Sequence, residues 1–148
     1  MKKFRFRLES VKRVRRIQEE QARQRLMEAH AKARETAARV DARLHAYLTA
    51  PRPTDPMSLA DFERARFELE AAATALESAR IAHREALDEV DRRRAEWLEA
   101  KQRCSALDRL EDRRRQQHQI DLRRAEDRLI DDLVVARHRL RNGQGVLG

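Results

Sequence analysis

The groups in this chain that could do chemistry are five histidines, one cysteine and a basic run at the N-terminus. A helical di-iron site requires a glutamate three residues before each of its histidines. Before His30, His45, His83, His118 and His138 those positions hold Met27, Ala42, Arg80, Arg115 and Val135. No other spacing of metal ligands fits a known motif. The three glycines all lie at or after Gly143, so no glycine-rich loop can cradle a phosphate. No strand pattern exists to hold a nucleophile elbow. The expectation is a protein that is not an enzyme, with no catalytic, cofactor-binding or metal residues and no cofactor.

Cys104, the single cysteine, cannot form an intrachain disulfide and reads as a hole-filling residue in a reducing cytoplasm. Of the 148 residues, 41% are charged and 4% aromatic, a profile of long surface-rich helices with a thin core. The net charge of +8 is concentrated: residues 1–16 hold eight basic groups and one acid, and the remaining 132 carry only +1. No apolar run is long enough to span a membrane. No apolar segment follows the basic run, so it does not read as a secretory signal and residues 1–16 are expected to stay on the chain. A basic segment of this kind could meet nucleic acid phosphates, an acidic protein surface, or an anionic membrane with Phe4, Phe6, Leu8 and Val11 as its apolar side.

The elements that would position any of these groups are helical. Every seventh residue from Phe62 reads Phe62, Leu69, Leu76, His83, Val90, Trp97 and Cys104. Three residues after each stand Ala65, Ala72, Ala79, Ala86, Arg93, Ala100 and Leu107. A seam repeating every 3.5 residues must face a partner helix, and its alanines permit close approach of that partner's backbone. His83 and Trp97 read first as packing residues on this seam.

In chain order, helix one is expected over about 4–48, starting between Phe4 and Leu8. Its stripe runs Leu8, Val11, Ala22, Leu26, Ala29, Ala33, Ala37, Val40, Leu44 and Leu48. From Ala22 onward the spacing is close to 3.7 residues per turn, which predicts a fairly straight helix. Pro51, Pro53 and Pro56 make 49–57 a loop. Ser58 with Asp61 reads as a short-armed capping box, and Met57 with Phe62 as a hydrophobic staple. Helix two is expected over about 58–141, ending at Asn142-Gly143, with the last six residues frayed. Its stripe changes phase after Leu107 to His118, Leu122, Ala125, Leu129, Leu133, Ala136 and Leu140, with Arg113-Arg114-Arg115 as the weakest join. The fold class expected is all-α, a single coiled-coil domain over 1–148: an antiparallel two-helix hairpin with a longer second helix. Pairing outward from the loop uses helix two to roughly Trp97–Leu107. The stripe beyond is a docking surface for another protein.

The opening Phe4-x-Phe6-x-Leu8-x-x-Val11, followed by Arg15, Glu19 and Ala22, resembles the start of the flagellar export protein FliJ family. The late segment Leu129-Ile130-Asp131-Asp132-Leu133-x-x-Ala136-Arg137 is similar to that family's acidic-hydrophobic C-terminal motif. Lys12 departs from the pattern, since the family usually carries an apolar residue after the valine.

The resemblance implies a coiled coil like the stalk of rotary F-type ATPases, cytoplasmic and peripheral at the inner face of the cell membrane. It implies binding at the centre of the hexameric flagellar export ATPase, promotion of ring assembly and hydrolysis, coupling to the transmembrane export gate, and escort of export chaperones. By position, the ATPase contacts would be Phe4, Phe6, Leu8, Val11, Arg15, Leu129, Leu133 and Arg137. The gate contacts would be Tyr47, Phe62, Phe67, Leu76 and His83. No nucleic acid partner is expected on this reading. The alternatives are the equivalent stalk of a virulence-type secretion system, a generic coiled-coil adaptor, and a basic helical nucleic-acid binder.

Overall fold

A computed structural model describes residues 2–54 and 56–145. They form two α-helices, α1 (Glu9–Thr49) and α2 (Leu59–Gln144), with no strand among the described residues. The expected all-α hairpin with a longer second helix is what the chain forms. The chain divides into two compact units, one of Arg15–Gln102 and one of Met1–Val14 with Arg103–Gly148.

In the first of these, α1 runs antiparallel to the opening half of α2. Ala65, Leu76, Ala79, Ala86 and Val90 are buried, and Leu69, Ala72, His83, Arg93, Trp97 and Ala100 are half-buried. Phe62, where the expected seam begins, stays 41% exposed. Facing them on α1 are buried Ala22, Ala29 and Ala33, and Ala29, Ala33, Ala86 and Val90 form one cluster edged by Leu26. Alanine on both helices leaves no bulk to hold the backbones apart, so the core is a thin line of small contacts.

The register of α1 differs from the expected stripe. Thr36 is 2% exposed, and the inward positions run 12, 15, 19, 22, 26, 29, 33, 36 and 40. These alternate steps of three and four, a 3.5-residue repeat in place of the expected 3.7. The difference arises because Lys12, Arg15, Glu19 and Thr36 occupy seam positions. Polar groups are stable there when partnered: Trp97 Nε1 donates to Glu19 Oε1 at 2.8 Å, and Thr36 Oγ1 lies 3.0 Å from His83 Nδ1.

At the turn, Thr49 Oγ1 donates to the His45 carbonyl at 2.8 Å. Arg52 reaches back to the Tyr47 carbonyl at 3.1 Å with its guanidinium 4.7 Å from the Tyr47 ring centre. The last turn of α1 holds no basic residue, so Arg52 supplies the positive charge that a helix C-terminus favours. Ser58 caps α2: the Asp61 N–H donates to Ser58 Oγ at 3.2 Å, and that hydroxyl donates to Asp61 Oδ2 at 2.7 Å. Met57 and Phe62, the expected staple, remain 36% and 41% exposed.

In the other unit, residues 2–6 have no regular structure and α1 begins only at Glu9, not at Phe4. The cause is legible in Lys3-Phe4-Arg5-Phe6-Arg7-Leu8, an alternation of period two that suits extended backbone rather than helix. Phe6 is buried, Phe4 and Leu8 are half-buried, and Lys3, Arg5 and Arg7 are exposed. Arg114 and Arg115, the expected weak join, instead hold this strap. Their guanidinium groups sit 5.8 Å from the Phe6 ring and 5.4 Å from the Phe4 ring.

α2 passes through this region unbroken, and it also runs through Gly143 instead of stopping there. The expected fraying of the last six residues falls partly on 146–148, outside the described residues.

Candidate partner-binding surfaces

The first surface is the strap and the stretch of α2 beneath it. Phe4 tilts against His118 with ring centres 5.6 Å apart, and His118 Nε2 lies 3.2 Å from the Lys2 carbonyl, to which it donates. Lys2, Lys3, Phe4, Arg115, His118, Gln119 and Leu122 line an open, mainly apolar cleft of about 640 Å³ with a basic rim. At the root of the strap Lys12, 9% exposed, donates to Glu111 and pairs with Asp108 at 3.5 Å. The Lys12 hydrogen bond and charge hold the Glu111 carboxyl below its ordinary value, with Arg115 adding to the effect at 3.3 Å. Pairing on α2 thus reaches Glu111 through α1 and Leu122 through the strap, further than the expected limit at Trp97–Leu107.

The second surface is α2 beyond Leu122. Every described side chain from Arg123 onward is exposed. Leu129, Leu133 and Leu140 keep 64%, 63% and 72% of their surface in solvent. Ile130, Val134 and Val135, which the single-stripe reading left out, are exposed as well.

The third surface is the tip of the hairpin, where Leu48, Leu59 and Phe67 are 64%, 73% and 72% exposed. Leu48, expected on the inward stripe of α1, and Leu59, which the sequence did not single out, both sit next to the loop, where a partner helix no longer covers them.

The residues singled out from sequence fall unevenly on these surfaces. Phe4 and Phe6 belong to the strap and lie against α2, Leu8 is half-buried in the turn before α1, and Val11 is 42% exposed on α1. They therefore do not make one apolar helix face of the kind that lies on a membrane. Arg15 is half-buried, with Nη1 3.0 Å from Gln18 Oε1. Leu129, Leu133 and Arg137 are exposed together on α2. Of the tip residues, Phe62 and Phe67 are exposed and Tyr47 is half-buried beside Arg52. Leu76 is 5% exposed and His83 is held by Thr36, so both lie inside the seam. Sequence reasoning missed Lys12, Glu111 and Thr36. Their signal was the heptad step itself, continued through polar residues.

Among the described residues no group of three or more His, Cys, Asp or Glu side chains could hold a metal ion. Among them, too, no helix is long and apolar enough to cross a membrane. No curated protein and no solved structure matches the chain. The family described as "Flagellar FliJ protein" does match, over residues 4–143. That span takes in the strap, both helices of the hairpin and the unpaired end of α2, and on it the chain belongs to the FliJ family of flagellar export components.

Proposed function

We propose that the chain is a non-enzymatic, cytoplasmic stalk that engages the hexameric flagellar export ATPase through its strap and the unpaired end of α2. The observation that carries this reading is the stretch beyond Leu122, a helix with Leu129, Leu133 and Leu140 more than half exposed and no intrachain partner to cover them. A row of large apolar side chains on one helix costs solvation free energy unless another surface covers it. The outward row Lys3, Arg5 and Arg7 supplies a basic surface that favours acidic partners and speeds encounter with them. Phe67, Phe62 and Tyr47 at the tip form the contact with the export gate. Leu76 and His83 join that contact only where the seam opens. Escort of export chaperones and peripheral membrane association follow from membership of the same machine.

The test is ATP hydrolysis by a purified flagellar export ATPase with the chain added. Stimulation by the native chain, lost in the Leu129→Asp/Leu133→Asp variant, is the expected result. Equal stimulation by both proteins, or by neither, would sink the proposal.

A further inference from the structure

The unpaired end of α2 carries, besides its apolar row, a charge pattern that selects one particular occupant. At 100° per residue Leu129, Leu133, Ala136 and Leu140 fall within about 60° of arc, with steps of four, three and four. Asp132 and Arg139 flank this row on one side, and Ile130 and Arg137 flank it on the other. Neither Asp132 nor Arg139 makes an ion pair among the described residues.

Two copies of such a row, laid antiparallel, set Leu133 against Ala136 of the second copy and Leu129 against Leu140. Large then meets small at the centre, as close packing requires. Positions on the same flank approach each other in an antiparallel pair, so Asp132 meets Arg139 of the second copy, twice by symmetry. On the other flank the aliphatic stem of Arg137 covers Ile130. Sliding the pair by seven residues one way sets Asp132 on Asp132, and sliding it the other way sets Arg139 on Arg139. Both neighbouring registers are thus opposed by like charge, which is how coiled-coil partners are specified.

The geometry points to an antiparallel homodimer of the free chain through Leu129–Leu140 of α2, held in register by reciprocal Asp132–Arg139 pairs. It goes beyond the ATPase reading and does not depend on it. The same leucines serve in both, so the dimer would cap the apolar row until a partner displaces it. Four seam positions per copy make a contact well below the roughly 1,200 Å² of stable interfaces, so the dimer is weak and dissociates on dilution.

Sedimentation equilibrium of the purified full-length chain, without any ATPase, tests this. The native chain should pass from monomer to dimer as concentration rises. Asp132→Arg and Arg139→Asp should each weaken association roughly tenfold, since each turns two attractions into two repulsions. The double variant D132R/R139D should restore it. These positions are exposed on a continuous helix, and an unchanged circular dichroism spectrum confirms that the variants fold. A native chain that stays monomeric at every concentration overturns the proposal. A double variant no better than the singles also overturns it, as does Arg137→Asp weakening the dimer while Arg139→Asp does not, the mark of parallel pairing.

Discussion

Thr36 Oγ1 lies 3.0 Å from His83 Nδ1 across the seam, and Thr36 is the least exposed of the residues that form the core. The same hydroxyl is 2.9 Å from the Ala33 carbonyl and 3.0 Å from that of Lys32. With its proton committed to α1's own backbone, the hydroxyl oxygen accepts from the imidazole Nδ1–H. A polar pair within an alanine seam fixes which turn of α1 faces which turn of α2, because any slip leaves both groups unpartnered. Thr36→Val keeps the shape and deletes the hydroxyl, so it should lower stability by about 1 kcal/mol. Thr36→Val/His83→Leu, which removes both partners, should recover most of that loss. Urea unfolding followed by circular dichroism measures both. If the single and double variants are equally destabilised, the pair does not contribute as described.

The seam of α2 was legible because from Phe62 to Leu107 every seventh residue but His83 is apolar, and the positions three residues on are mostly alanine. The seam of α1 was not, because Lys12, Arg15, Glu19 and Thr36 stand where apolar residues were sought. A search for hydrophobic periodicity passes over a polar side chain whose partner lies on another helix. The strap was hidden for a different reason. Phe4, Phe6 and Leu8 at two-residue spacing were read into the start of a helix, although that spacing puts them on one side only of extended backbone. Site residues were legible only in part: Leu76 stands on the seam and is buried and Phe67 stands off it and is exposed, whereas Phe62 stands on the seam and still keeps 41% of its surface in solvent.

Close approach of the two backbones makes the alanine seam sensitive to added volume. Ala86 is 7% exposed and packs in one cluster with Ala29, Ala33 and Val90. Ala86→Leu should destabilise the hairpin by about 1–3 kcal/mol, since the added atoms have no space without backbone movement. Leu87, one residue on, is 46% exposed, and Leu87→Ala should stay within about 0.5 kcal/mol of the native chain. Thermal unfolding of the two variants side by side checks the contrast. An Ala86→Leu chain as stable as native would mean that the helices are not held as closely as this core implies.

Lys12 and Glu111 make docking of the first residues depend on acid. The lysine holds the Glu111 carboxyl below its ordinary value, so the folded state binds that proton less readily than the unfolded state does. A carboxyl lowered on folding stabilises above the ordinary carboxylate range, and that contribution fades as pH falls through the folded-state value. Amide exchange of residues 2–14, corrected for intrinsic rates, should therefore rise when pH is taken from about 7 to about 3. Lys12→Met fills the same space without charge and should flatten this dependence. An unchanged pH profile in the variant would show that other carboxylates govern docking.

Phe6, at 6% exposure beneath Arg114, is the anchor that keeps the strap on α2. Arg5 and Arg7 on either side of it are exposed, so the chain here offers cleavable bonds whose access depends on whether the strap is down. Phe6→Ala removes a buried ring and should cost roughly 3 kcal/mol of docking free energy, raising the open fraction more than a hundredfold. Trypsin should then cut after Arg5 and Arg7 much faster than in the native chain. Phe67→Ala serves as the control, because that ring is 72% exposed and its loss should leave both cleavage and unfolding unchanged. The ATPase reading adds a second readout. A strap that must lift before Phe6 can meet another protein would bind it more readily once loosened, yet would lack the ring needed to hold it. Phe6→Ala should therefore stimulate the export ATPase less than native, whereas Arg114→Ala, which loosens the strap and keeps the ring, should stimulate it at least as well. Equal loss in the two variants would mean that the docked strap, and not the freed phenylalanine, is what the partner contacts.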